Sequence, residues 1–356
     1  MKWYIRKVYT PIVGELWDNQ EVFARISAHL RSKSDTFAPD KSGGSQEDEV
    51  EHLLSLIRVF LIGSRTRYVQ CPHFLDLRSF KDHAVAFAAA VTESIGALSK
   101  ELRASGSEPF DAVIGVSSVG QLLPGIADRL TTELGSQIRS GALLLDLSNG
   151  GCTASSRALQ LASTLDGQHR NVLIAVVEPT STLADPLSLD RSNWQGICTF
   201  GDGAAGIWLS PDPAGALAEL GSILSSHRGE ADLIRWDYSS GYYRFSVSDF
   251  EGFDRRIRAG ILGALDEIDW ADTKDSLWAV HPAGMMLLLS VARRIGLDRN
   301  RLEPSIRHFR SFSNMSSASI LHILRDLVEQ AQTGQPVRWL SMGAGFHVVY
   351  GHCTKL

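Results

Sequence analysis

Apolar residues recur along this chain with two different periods, and the period switches repeatedly from one to the other. EHLLSLIRVFLIG (51–63) and DHAVAFAAAVTESIGALSKEL (82–102) carry them at the three-to-four spacing of amphipathic helices. FDAVIGVSS (110–118), ALLLDLS (142–148) and NVLIAVVEP (171–179) are instead short β-rich runs. Buried strands separated by amphipathic helices predict an α/β body with a mostly parallel sheet. A second series follows the PDPA break at 211–214. It comprises AGIWLSP (205–211) and the β-rich LIRWDYSSGYYRFSVS (233–248), then a helix over 249–268 and the strand LWAVH (277–281). A helix in GMMLLLSVARRIGL (284–297), another after NMSSAS (314–319), and strands VRWLSMG (337–343) and FHVVYGH (346–352) close the chain. Strand–helix units thus run through twice, which predicts two similar halves, 1–211 and 212–356, with a site at their junction. The polar segment 31–51 reads as an exposed loop.

Composition narrows the partners. With 44% hydrophobic and 21% charged residues and a net charge of −5, the 356-residue chain has ordinary globular content and no basic stripe for nucleic acid. No apolar run reaches the roughly 18 residues that span a bilayer, and the first residues lack an apolar core of signal-peptide length, so a cytoplasmic protein is expected. The four cysteines, Cys71, Cys152, Cys198 and Cys353, form no CxxC pair, and the histidines form no HxxxH pair. Neither a metal site nor a disulfide framework is expected.

Cys152 stands out in LSNGGCTASSRAL (147–159), where two glycines lead from an apolar run into a helical pattern. A thiol at a helix N-terminus is favoured as thiolate by unpaired N–H groups and the helix dipole. A small buried residue at a tight turn explains the same pattern equally well. A thiolate nucleophile needs a partner for protons or for an oxyanion. His281, at the end of a strand and followed by Pro282, is one candidate, and a capping or surface histidine is the plainer alternative. Asn314, before a helical pattern, could donate to a developing negative charge or simply cap the helix. The glycines of FGDGAAG (200–206) and of GAGF (343–346) lead into strands, which argues against dinucleotide loops.

Taken in order, IGSRTRY (62–68), GVSSVGQLLPGIADRLTTELG (115–135), GGCTASSRALQLA (150–162), VLIAVVEPT (172–180), FGDGAAG, WAVHPAG (278–284), NMSSAS and GAGF resemble the thiolase-fold condensing enzymes. Within these the chain is similar to the chalcone-synthase-like type III polyketide synthases, and beside them to ketoacyl carrier-protein synthase III. The resemblance implies a duplicated, five-layered αβαβα thiolase-like fold. It puts the family's catalytic set on Cys152, His281 and Asn314, with the resting thiolate paired to His281. It puts an aromatic gatekeeper on Phe200 and a substrate-lining loop on Gly343, Ala344 and Gly345.

The implied reaction is a decarboxylative Claisen condensation. An acyl thioester of coenzyme A or a carrier protein loads Cys152, and a malonyl-type thioester supplies the enolate. No metal or redox cofactor is implied, and a homodimer is. Transfer of the acyl group to another nucleophile without decarboxylation is the alternative; a papain-like peptidase and a non-catalytic partner subunit are more distant ones. Four departures mark this chain. Ala344 replaces the proline of the usual Gly-Pro-Gly, and Ser313 replaces the glycine before the asparagine, where a β-carbon could narrow the pocket. Arg244 aligns with a second aromatic gatekeeper, and the N-terminal basic contacts to coenzyme A are missing.

Overall fold

A computed structural model describes residues 1–34, 45–120, 122–237, 243–270 and 274–356. The elements run β1 (Trp3–Tyr9), β2 (Glu15–Asp18), α1 (Asn19–Ser32), α2 (Gln46–Phe60), β3 (Thr66–Val69), α3 (Phe80–Ala104), β4 (Phe110–Ser117) and α4 (Ile126–Leu134). They continue with β5 (Ile138–Ser148), α5 (Ala154–Ala162), β6 (Val172–Glu178), α6 (Arg191–Thr199), β7 (Gly203–Ser210) and β8 (Ala218–Ser226). The remainder is β9 (Ile234–Asp237), β10 (Arg244–Val247), α7 (Phe253–Leu265), β11 (Leu277–Val280), α8 (Met285–Arg294), α9 (Arg299–Phe312), α10 (Ala318–Gln330), β12 (Pro336–Gly343) and β13 (His347–Lys355). Helix starts follow local chemistry. Asp18, Ser45, Ser79, Asp190 and Asp298 each accept a first-turn N–H with their side chains.

Among the described residues, nine strands form one sheet in the order β11-β12-β13-β8-β1-β7-β6-β4-β5. Strands from 1–211 occupy one side of this order and those from 212–356 the other, meeting where β1 pairs antiparallel with β8. Each side repeats one pairing pattern. β4 and β6 are parallel, and β6, β7 and β1 antiparallel; β11 and β12 are parallel, and β12, β13 and β8 antiparallel. The sheet is therefore mixed, not mostly parallel. Helical crossovers make parallel neighbours, whereas a short turn such as the one from β12 to β13 forces antiparallel ones.

The layers follow from alternation along the strands. On β4 and β6, Ile114, Val116, Ile174 and Val176 face inward onto α5 and α10, together with Val337 and Trp339 from β12. Their neighbours Val113, Leu173 and Ala175 face outward onto α3 and α4. On the other side, Trp278, Val280, Leu340 and Met342 face outward onto α7, α8 and α9. Helices, half-sheet, inner helices, half-sheet and helices make five layers. The inner pair packs against both half-sheets, and the residues it turns to them are small or apolar, with Ala154, Ala158, Ala162 and Ala318 fully buried.

The loop expected over 31–51 is corrected in part: Gln46 onward is the acidic first turn of α2, capped by Ser45, and 35–44 lie outside the described residues. Among the described residues, no helix is long and apolar enough to cross a membrane. Substituting Ala158→Leu would overfill the inner layer. The expected loss is about 1–3 kcal/mol, read from the urea midpoint at an unchanged m-value.

Candidate active site

Cys152 sits in the single 3-10 turn Gly151–Thr153 that opens α5, with Gly151 at φ +59. The turn is tied down from behind. Ser118 Oγ donates to the Gly151 carbonyl at 2.9 Å, and the Glu178 carboxylate accepts from Ser118 N at 2.9 Å. Glu178 also accepts from the Ser317 hydroxyl and, at 3.4 Å, from the Ser317 N–H. Ser155 Oγ donates to the Ser317 carbonyl at 2.6 Å, joining the start of α5 to the start of α10. Asn314 lies just before that start. Its Oδ1 accepts the Ser316 N–H at 2.9 Å, and its amide and the Ser316 hydroxyl both reach the Cys152 thiol. Asn314 thus lies in a cavity wall and is not the helix cap, which is Ser317.

Cys152, Asn314 and Ser316 share a cavity of about 440 Å³. Phe200, Gly343, Ala344 and Gly345 line it too. Gly343 has a steric reason to be glycine, because a Cβ there would lie 3.3 Å from Cys152 N. Phe200 meets Phe245 edge to face at 5.8 Å, and Phe245 meets Trp236 at 6.2 Å. Trp236 donates its indole N–H to the Ser118 carbonyl at 3.0 Å, holding the β9–β10 hairpin over the cavity.

Two sequence expectations change here. Arg244 does not reach the cavity wall: its guanidinium is turned to Ser188 and to the carboxylates of Asp185, Asp190 and Asp237. The second aromatic on the wall is its neighbour Phe245, because adjacent strand residues point to opposite faces. Ser313 does not narrow the pocket either. It is fully buried, with its hydroxyl turned to the Thr66 carbonyl at 3.3 Å.

His281 is placed differently from Cys152. Its N–H extends the ladder to Leu340 O at 2.8 Å, and its side chain is fully buried with no partner on either ring nitrogen. It is not among the residues lining the cavity, and its ring lies near that of His308. Burial pushes His281 down to about 3 and the Cys152 thiol up to about 12. Ser316 and Asn314 pull the thiol the other way, and the nearby Glu178 charge adds to the rise. The helix end is worth about 0.3–1 kcal/mol, less than a tenfold change in ionisation, so burial wins. Burial therefore opposes charge on both groups, against the pull toward thiolate that the helix N-terminus and His281 were expected to exert.

Several neighbours were missed from sequence. Glu178, raised to about 7 by burial, closes an otherwise apolar strand, VLIAVVE, and that misfit was a visible signal. Trp236, Phe245 and Ser316 carried none. No group of three or more His, Cys, Asp or Glu side chains among the described residues could hold a metal ion.

Comparison with known proteins agrees with this architecture. Residues 251–351 match the family described as chalcone and stilbene synthases, C-terminal domain. Residues 145–227 match 3-oxoacyl-[acyl-carrier-protein] synthase III. A type III polyketide synthase of Oryza sativa subsp. japonica is 28% identical over 236 residues, 62% of this chain and 57% of that relative's length. The type III polyketide synthase domain of Steely1 from Dictyostelium superposes with a TM-score of 0.83 at 17% identity, covering 100% of this chain and 99% of that one. The 1,3,6,8-tetrahydroxynaphthalene synthase of Streptomyces coelicolor A3(2) superposes with a TM-score of 0.81 at 18% identity, covering 99% of each chain. The chain therefore has the thiolase fold of type III polyketide synthases.

Two outcomes are expected from the geometry. Alkylation of Cys152 by iodoacetamide, followed by mass spectrometry, should rise about tenfold per pH unit between about pH 7 and 9 without a plateau; a plateau in the neutral range would indicate a resting thiolate. Ser313 has φ 60 and ψ −153, a conformation suited to glycine. Ser313→Gly should stabilise the fold by about 1 kcal/mol, the relief of strain less the extra chain entropy of glycine. An unmoved urea midpoint would count against that strain.

Proposed function

We propose that this protein is a condensing acyltransferase that forms a carbon–carbon bond by decarboxylative Claisen condensation, with Cys152 as acyl carrier. The observation that carries the reading is that Cys152 and Asn314 share one largely apolar cavity, with the amide on the thiol. The matches to condensing-enzyme families on both sides of the chain support it.

In this mechanism Cys152 Sγ attacks an acyl thioester of coenzyme A or a carrier protein. Its proton passes to His281, and the carrier sulfur leaves as a thiolate that takes a proton from solvent. A malonyl-type thioester then enters. Loss of carbon dioxide leaves the bonding pair as an enolate, whose oxygen accepts from Asn314 and His281. His281 lies outside the cavity lining with both ring nitrogens unengaged, so these roles ask its ring to turn toward Cys152. Removing one such donor typically costs about 2.7–4 kcal/mol of barrier. The enolate carbon attacks the acyl-cysteine carbonyl; a carbon–carbon bond forms, the acyl–sulfur bond breaks to give a β-keto thioester, and His281 returns its proton to the released Cys152 sulfur. Phe200 and Phe245 shape the acyl pocket, and the Gly343–Gly345 loop lies against the thioester. No step asks for a metal or redox cofactor.

The same reading makes the protein a cytoplasmic homodimer. Among the described residues, β5 ends the sheet with one edge unpaired and Leu143, Leu144, Leu145 and Leu147 half-buried along it, a strand suited to a second copy. The free thiols suit a reducing compartment.

Intact-protein mass spectrometry after incubation with a panel of acyl-coenzyme A thioesters tests the proposal. An acyl adduct is expected on the protein and should be lost in Cys152→Ala. Asn314→Ala should keep the adduct while slowing carbon dioxide release from malonyl-coenzyme A by about 10²–10³-fold. No adduct from any thioester, or an adduct that survives Cys152→Ala, would overturn it.

A further inference from the structure

β3 runs as a strap between the C-terminal ends of α6 and α9, the two helices that deliver Phe200 and Asn314. Arg67, 2% exposed, spreads its guanidinium over the end of α6. Its Nη1 donates to the carbonyls of Ile197 at 2.9 Å and Phe200 at 2.8 Å, and its Nη2 to that of Cys198 at 2.7 Å. Its Nε donates to Asn19 Oδ1 at 3.0 Å. These carbonyls are acceptors that a helix leaves unpaired at its C-terminus, where the dipole also favours a cation.

On the other side, Arg65 N–H donates to the Arg310 carbonyl at 2.7 Å and Thr66 Oγ1 to that of Ser311 at 2.6 Å, both at the end of α9. Between the two helix ends the backbones of Phe200 and Asn314 bridge each other. Asn314 N–H donates to Thr199 O at 3.1 Å, and Gly201 N–H to Asn314 O at 3.0 Å. A Cβ on Gly201 would lie 2.5 Å from Phe312 O and 3.1 Å from Arg67 Cβ, so the junction has no slack.

We infer that Arg67 is a positioning residue, which holds the end of α6 so that the Phe200–Asn314 bridge sets the Asn314 amide against Cys152. It touches no reacting atom. Lysine keeps the charge but lacks the planar fork that spans several carbonyls, so the position demands arginine. The catalytic consequence rests on the function proposed above; the positioning itself does not.

The test compares the full-length protein with Arg67→Lys. Hydrogen-exchange mass spectrometry should show exchange about tenfold faster in peptides covering 196–203 and 312–317, with the other layers unchanged. With malonyl-coenzyme A as probe, kcat for decarboxylation should fall by about ten- to a hundredfold at a nearly constant KM. Iodoacetamide labelling of Cys152 should stay within about twofold. Unchanged exchange at the two peptides, or labelling that falls in step with kcat, would overturn the inference. If Arg67→Lys does not fold, Asn19→Ala, which removes the Nε acceptor from the guanidinium together with the Asn19 Nδ2 bonds to Ser64 and Leu61, should show faster exchange at 196–203 to a smaller degree, and no change there would overturn it as well. Failure of the functional reading looks different: wild-type protein would carry no acyl group on Cys152, whatever the exchange pattern in Arg67→Lys.

Discussion

The two helices of the inner layer begin at the same end of the sheet, and the hydrogen bond from Ser155 to the Ser317 carbonyl joins their first turns. Everything at the site depends on that convergence. α5 brings Cys152, and the segment leading into α10 brings Asn314 and Ser316. With both helices covered on two faces, neither start can shift without disturbing a half-sheet. Glu178 reinforces the junction by taking donors from Ser118 on one side and Ser317 on the other. A buried carboxylate is costly to leave unpaired, and this one is satisfied only while the two segments stay together.

The same burial sets the electrostatics. Desolvation opposes charge on both Cys152 and His281, raising the thiol and lowering the imidazole. A neutral imidazole can accept a proton at one step and a neutral donor can polarise an oxygen at another, which suits two half-reactions in one cavity. Two of the cations near the site are spent on structure, while Arg157 and Arg235 line the cavity. Arg67 neutralises a helix end, and Arg244 sits among three carboxylates that fasten the β9–β10 hairpin. Aromatic rings are left to form the wall, with Phe200, Phe245 and Trp236 in edge contact.

Much of this was legible from residues. The β-rich runs over β4, β5, β6, β11, β12 and β13, and the helical spacing over α2, α3, α7 and α8, all correspond to observed elements. α6 and α9 were not legible. RSNWQGICT carries a glycine and little apolar content, and RNRLEPSIRHFRSF is charged with Pro304 inside it; tertiary packing overrides both weak patterns. The mixed sheet was missed because β1 pairs with β7 and β8, some two hundred residues away, and no local period reports such a partner. At the site, Cys152, Asn314, Phe200 and the Gly343–Gly345 loop could be placed from motif order. The depth of His281 could not, because a strand-end histidine looks alike in sequence whether its ring is buried or open. The motif aligned a second aromatic near Arg244, whereas Phe245 lines the cavity, since a shift of one residue exchanges the two faces of a strand.

The destination of the acyl group is the most direct test. A crystal structure of the protein soaked with an acyl-coenzyme A should show a thioester on Cys152 Sγ, with the acyl chain running between Phe200 and Phe245 and its carbonyl beside the Gly343–Gly345 loop. A free Cys152 thiol with the acyl group bound on another residue, or lodged outside that cavity, would contradict it.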